Sequence, residues 1–214
     1  MKNLFNLDNP VLQMLSRIGD MIIVNLLFWV SCIPVFTIGA ALCGLNKACQ
    51  AIVLDDDRGM LKLYMDGFRS NFKQATLIWL AVLVILISLM CNWLLITTFC
   101  SGTFATVLYI LLGIVAFLVI GVLSYLIPLV VRYQNTIREH LYNAIILTIV
   151  KFPRTLLLAV LNAFLFILPF LSLNSFIQTL VFWLVIGFAF LSYIASILLK
   201  PVFKELEGDA SEIK

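Results

Sequence analysis

From Gln74 to Val131, and again from Thr155 to Leu199, the chain carries no charged side chain. A helix crosses a hydrocarbon core with about 20 apolar residues, so each run is long enough for two passes. A charge at the bilayer centre costs about 2.5–3.5 kcal/mol on insertion scales, which is why such runs exclude it. Barrel strands alternate apolar and polar residues, whereas these runs are apolar at both parities. The reading is an all-α polytopic membrane protein, a bundle of helical hairpins forming one transmembrane domain, 1–214. Composition agrees: 12% of residues are charged and mean hydropathy is +1.12, against about 25% charged in an average soluble domain.

Punctuation within the apolar runs predicts spans at about 18–33, 38–54, 75–99, 104–131, 155–173 and 176–199. Ser101-Gly102-Thr103 and Asn174-Ser175 read as tight turns, and Lys200-Pro201 as the stop of the last span. The first pair is open to two layouts. If Met21–Asn46 crosses once, there are five spans. If Pro34 to Gly39 forms the top of a hairpin, there are six, with both termini on one side; this is the expectation carried forward.

Lys47, Arg58, Lys62, Arg69 and Lys73 lie before the third span, and Arg132, Arg138, Lys151 and Arg154 before the fifth. Lys200, Lys204 and Lys214 follow the last, while the two short turns hold no basic residue. Lys and Arg accumulate in cytoplasmic loops, so these segments and the C-terminus are expected inside the cell membrane, and the N-terminus with them. Met1 to Asp20 is polar and mixed in charge, unlike a cleavable leader.

Two cytoplasmic segments, 55–74 and 132–154, are amphipathic. In the first, Tyr64, Phe68 and Phe72 fall at i, i+4 and i+8, one stripe of a helix, with Lys62, Arg69 and Lys73 mostly off it. Such a helix suits the headgroup layer, rings down and bases out, or a partner's cytoplasmic face. Ala40, Gly44 and Ala48 repeat at the same spacing and make a smooth face for close helix approach. The run Asp55-Asp56-Asp57-Arg58-Gly59 reads as a surface turn rather than a divalent-cation site. His140, beside Glu139, reads as a polar surface residue.

Machinery for chemistry is missing. No Asp, Glu, Arg, Lys or His falls in the four later spans, where ion-coupled transporters keep ionisable groups. Neither phosphate-binding glycine motif occurs, so no nucleotide is expected. The five cysteines form no C-x-x-C and the chain has one histidine, which leaves no metal-ligand set. They read as packing residues. A net charge of +3 is too mild for a nucleic-acid surface. The expectation is a non-enzyme without cofactor or metal, contacting membrane lipid.

Phe5-Asn6-Leu7-Asp8-Asn9-Pro10, Ile18-Gly19-Asp20 and Asn25-Leu26-Leu27-Phe28-Trp29 precede Cys32-Ile33-Pro34-Val35-Phe36-Thr37-Ile38-Gly39-Ala40-Ala41. With Phe68-Arg69-Ser70-Asn71-Phe72-Lys73-Gln74-Ala75 downstream, the chain resembles the YesL-like family of small integral membrane proteins of Gram-positive bacteria. That resemblance implies no catalytic residues. It implies an association with carbohydrate ABC importers, hence an accessory subunit packed beside the permease subunits. Phe68, Phe72 and Lys73 would dock on the cytoplasmic side, and Ala40, Gly44 and Ala48 would pack helices. Two other classes stay open: an oligomeric facilitator or channel lined by Asn25, Asn92 and Asn162, and a membrane sensor or assembly factor for a sugar-responsive regulator.

Overall fold

A computed structural model describes residues 10–56, 58–167 and 173–212. Every long element among them is a helix. Helix α1 (Pro10–Ser31) opens on a proline, whose missing N–H is not needed at a first helical position. A 3-10 turn, Val35–Thr37, leads into α2 (Ile38–Val53). The Thr37 hydroxyl donates to the carbonyls of Ser31 and Pro34, both at 2.6 Å, and pins that turn. At the other end Arg17 of α1 pairs with Asp55, just past α2. The two helices are therefore antiparallel, as the hairpin layout requires.

The chain reverses again through residues 54–59, where Asp55 (φ 54) and Gly59 (φ 90) adopt the left-handed conformation. Helix α3 (Met60–Ser70) follows, and α4 (Phe72–Phe99) begins after Asn71. Cys100 and Ser101 connect α4 to α5 (Gly102–Arg132), and Gly102 takes φ 69 where the chain turns back.

Helix α6 (Ile137–Val150) starts on a capping box: Thr136 accepts from the Glu139 N–H while the Glu139 carboxylate accepts from the Thr136 N–H. This satisfies two otherwise orphaned donors. Helix α7 (Phe152–Ile167) is bent by 98° from α6. Beyond residues 168–172, α8 (Leu173–Phe182) passes through a π-helical turn, Trp183–Gly187, into α9 (Phe188–Glu212).

Five helical segments are long and apolar enough to cross a membrane: Met14–Ser31, Val35–Val53, Phe72–Phe99, Gly102–Arg132 and Phe176–Gly208. The bent α6–α7 pair makes a sixth if taken as one span. The chain is a multi-pass, all-α membrane protein. Three boundaries differ from the sequence reading. Asn174 and Ser175, predicted as a turn, lie in the first turn of α8. The predicted span 155–173 begins earlier, with α7, and part of it falls outside the described residues. The last helix does not stop at Lys200-Pro201 but runs on to Glu212. Ion pairs hold that extension in place: Lys151 with Glu205 at 2.7 Å and Arg132 with Glu207 at 2.7 Å.

Helix α2 sits at the centre. Its Cys43 joins a core with Ala75 and Ile78 of α4, Tyr125 and Leu129 of α5, Leu147 of α6, and Val202 of α9. Its Leu45, Ala48, Cys49 and Ile52 join a second core with Met21, Val24 and Phe28 of α1, Tyr64 of α3 and Ala189 of α9. In a bilayer, close van der Waals packing and interhelical hydrogen bonds hold helices together, since lipid tails are as apolar as leucine. A small-residue helix is well suited to such a central position.

Candidate functional site

The two motif strings that carry the family resemblance meet in space. A side chain on Gly39 would collide with the Ala75 carbonyl and lie 2.7 Å from Trp79 Cβ. Trp79 Nε1 in turn donates to the Val35 carbonyl at 2.9 Å. The Pro34–Ala41 stretch is thus clamped on the start of α4. On that helix, Gln74 reaches across to the Asn135 carbonyl at 3.2 Å.

Ala40, Gly44 and Ala48 are all buried within the chain. A Cβ on Gly44 would lie 2.9 Å from the Tyr64 carbonyl and 3.0 Å from its ring. One on Gly67 would lie 2.8 Å from Lys47 Cβ and 2.9 Å from the Cys43 carbonyl. Glycine facing glycine lets α2 and α3 come close. The aromatic stripe of α3 therefore turns inward, not toward headgroups. Tyr64 is fully buried, and burial pushes its phenol pKa up. Phe68 is half-buried, stacked on Tyr64 at 6.4 Å, and meets Phe72 at 5.5 Å. Lys62, Arg69 and Lys73 point outward. The smooth face of α2 is the apolar surface these rings cover.

Asparagine use divides sharply. Asn25 is fully buried. Its Nδ2 donates to the carbonyls of Trp183 (3.1 Å) and Leu184 (2.8 Å), and its Oδ1 accepts from the N–H groups of Phe188 (3.0 Å) and Ala189 (3.1 Å). One side chain thus bridges both sides of the π-helical turn, where the regular ladder is offset. Trp29 Nε1 also donates to the Trp183 carbonyl, at 3.2 Å. Asn92 and Asn162 donate instead to their own helices, at the carbonyls of Ser88 (2.8 Å) and Leu158 (2.7 Å). Asn25 lies between helices, Asn92 on an exposed face and Asn162 half-buried.

His140 departs from the sequence reading. It is 1% exposed, on the inward face of α6 with Ala144, Leu147 and Thr148. Neither ring nitrogen has a hydrogen-bond partner among the described residues. The capping box that starts α6, Thr136-x-x-Glu139, was legible in the sequence and sets which face turns in. The acidic turn is occupied by ion pairs: Asp55 with Arg17, and Asp56 with the Arg58 guanidinium at 2.6 Å. That guanidinium holds the Asp56 carboxyl below its usual range. Asp57 lies outside the described residues. No cluster with the makings of a metal site occurs among the described residues, and their cysteines are all unpaired.

One end of the bundle is polar. It gathers Arg17, Asp55, Arg132, Lys151, Lys200, Glu205 and Glu207, and Lys200 donates to the Val53 carbonyl at 3.3 Å. Between α2, α5 and α9 it holds a half-open cavity lined by Gln50, Val53, Leu54, Arg132, Ser196, Lys200 and Phe203. From the packed core, the α4–α5 hairpin projects with little cover of its own. Val84, Ile87, Met90 and Leu94 on α4 are exposed, as are Phe104, Ile110 and Ile114 on α5. Over this distal part only Ile96 and Ala105 are buried.

No curated protein and no solved structure matches the chain. Residues 21–93, from α1 into α4, match the profile of a family described as protein of unknown function, DUF624.

Proposed function

We propose that this chain is a non-catalytic accessory subunit in the bacterial cell membrane, packed beside the permease subunits of a carbohydrate ABC importer. The observation that carries the reading is the projecting α4–α5 hairpin, whose distal faces have almost no partner within the chain. A large apolar surface without an internal partner suits association with another membrane protein. The choice of permease rests on the resemblance to YesL-like proteins. Docking moves accordingly from the α3 rings, which are covered, to the hairpin and to the outward bases Lys62, Arg69 and Lys73. The polar end, with its Lys and Arg, lies on the cytoplasmic side by the positive-inside rule. A channel lined by Asn25, Asn92 and Asn162 finds no support, since the three amides serve separate helices.

The test is co-purification from native membranes with tagged permease, together with photocrosslinkers at Ile87 and Ile110. Crosslinks to permease and reduced sugar uptake on deletion are expected. A chain that purifies alone, with uptake unchanged on deletion, overturns the reading. Crosslinks to a histidine kinase instead would favour a sensor.

A further inference from the structure

The cavity at the polar end combines features that no internal contact explains. Gln50 lines it, and its Nε2 is shielded from solvent with no hydrogen-bond partner among the described residues. Buried amide donors are paired in the great majority of cases, so an orphan asks for a missing acceptor. Two cations flank the same space. Arg132 gives Glu207 two of its N–H groups, through Nε at 2.7 Å and Nη2 at 3.2 Å, out of the five a guanidinium carries. The Phe203 ring lies 4.9 Å from its central carbon and fixes its plane. Lys200 makes one long bond to the Val53 carbonyl and keeps two donors. Glu207 and the carboxyl end of α2 temper this positive charge without cancelling it. The cavity measures about 210 Å³ including its open mouth, below the range of pockets that enclose drug-sized molecules. Leu54, 53% exposed, sits at its edge and Ile197 is exposed on the adjoining turn of α9, an apolar approach beside a cationic pocket.

We propose that this cavity binds the phosphate of an anionic phospholipid, with Lys200, Arg132 and the Gln50 amide as donors and the acyl chains along the apolar approach. Basic pockets between transmembrane helices are a recurrent form of headgroup site. The proposal uses only the multi-pass placement of the chain and is independent of the importer reading.

The experiment is native mass spectrometry of the purified full chain, titrated with phosphatidylglycerol, phosphatidylcholine or inorganic phosphate. Preferential retention of phosphatidylglycerol is expected. Lys200→Gln should weaken it about fivefold, the loss of one lysine near a headgroup, and Gln50→Met should weaken it as well. Lys204→Gln, the same charge change on α9 away from the cavity, should retain wild-type binding. Gln50→Met removes an unsatisfied amide at nearly constant volume, so it should melt no lower than wild type, and reduced binding would not reflect unfolding. Equal retention by Lys200→Gln, Gln50→Met and wild type overturns the site. Inorganic phosphate displacing phosphatidylglycerol at equal concentration overturns the lipid as its source and assigns the cavity to free phosphate.

Discussion

Asn25 sits where an amide does most for a membrane helix. A π-helical turn shifts the backbone ladder by one residue, and the hydrocarbon offers no water to the groups it displaces. The four bonds from Asn25 answer two carbonyls and two N–H groups at once. Replacing it by leucine leaves these groups to find other partners, at about 1–3 kcal/mol for each that fails. Asn25→Leu should therefore lower the thermal unfolding midpoint of the purified protein clearly. Asn92→Leu, which removes only a bond within one helix, should change stability by about 0.5 kcal/mol or less. Equal effects from the two would refute the clamp. In the sequence these asparagines look alike, each a lone amide in an apolar run. What separates them is a helix offset more than 150 residues away from Asn25, which no local pattern announces.

Helices were largely readable where charge and length decide them. The α4 and α5 boundaries follow the charge-free run, and the α1–α2 hairpin follows Pro34 to Gly39. Faces were harder, because a stripe of rings is equally apolar toward lipid and toward a neighbouring helix. Tyr64 turns in because Gly44 leaves room for it, and His140 turns in because the cap at Thr136 fixes the rotation of α6. The C-terminal helix outruns Pro201 because Glu205 and Glu207 find Lys151 and Arg132, pairings invisible along the chain. Close approach between elements has its own test. Gly39→Ala places a methyl group against the Ala75 carbonyl and should destabilise by about 1–3 kcal/mol, as overpacking does. Gly113→Ala, with nothing within 4 Å of its Cβ, should be neutral or slightly stabilising. Thermal melts of both in the same detergent decide it.

At the scale of the whole molecule, tight packing is concentrated around α2, and the segment matched by the family profile, residues 21–93, contains that helix and its closest neighbours. The sequence alone placed the protein in a membrane but left this uneven distribution unseen, since apolar residues read the same whether covered or bare. The hairpin that projects from the core has a further consequence. At 1.5 Å per residue, the 28 residues of α4 extend about 42 Å, whereas the hydrocarbon layer is about 30 Å thick. A stretch this long tilts or thickens the lipid around it, and it suits some membranes better than others. In aligned bilayers of increasing acyl-chain length, polarised infrared spectroscopy should find the mean helix tilt falling as the lipid thickens. The protein would then be matched to bilayer thickness as well as to a partner.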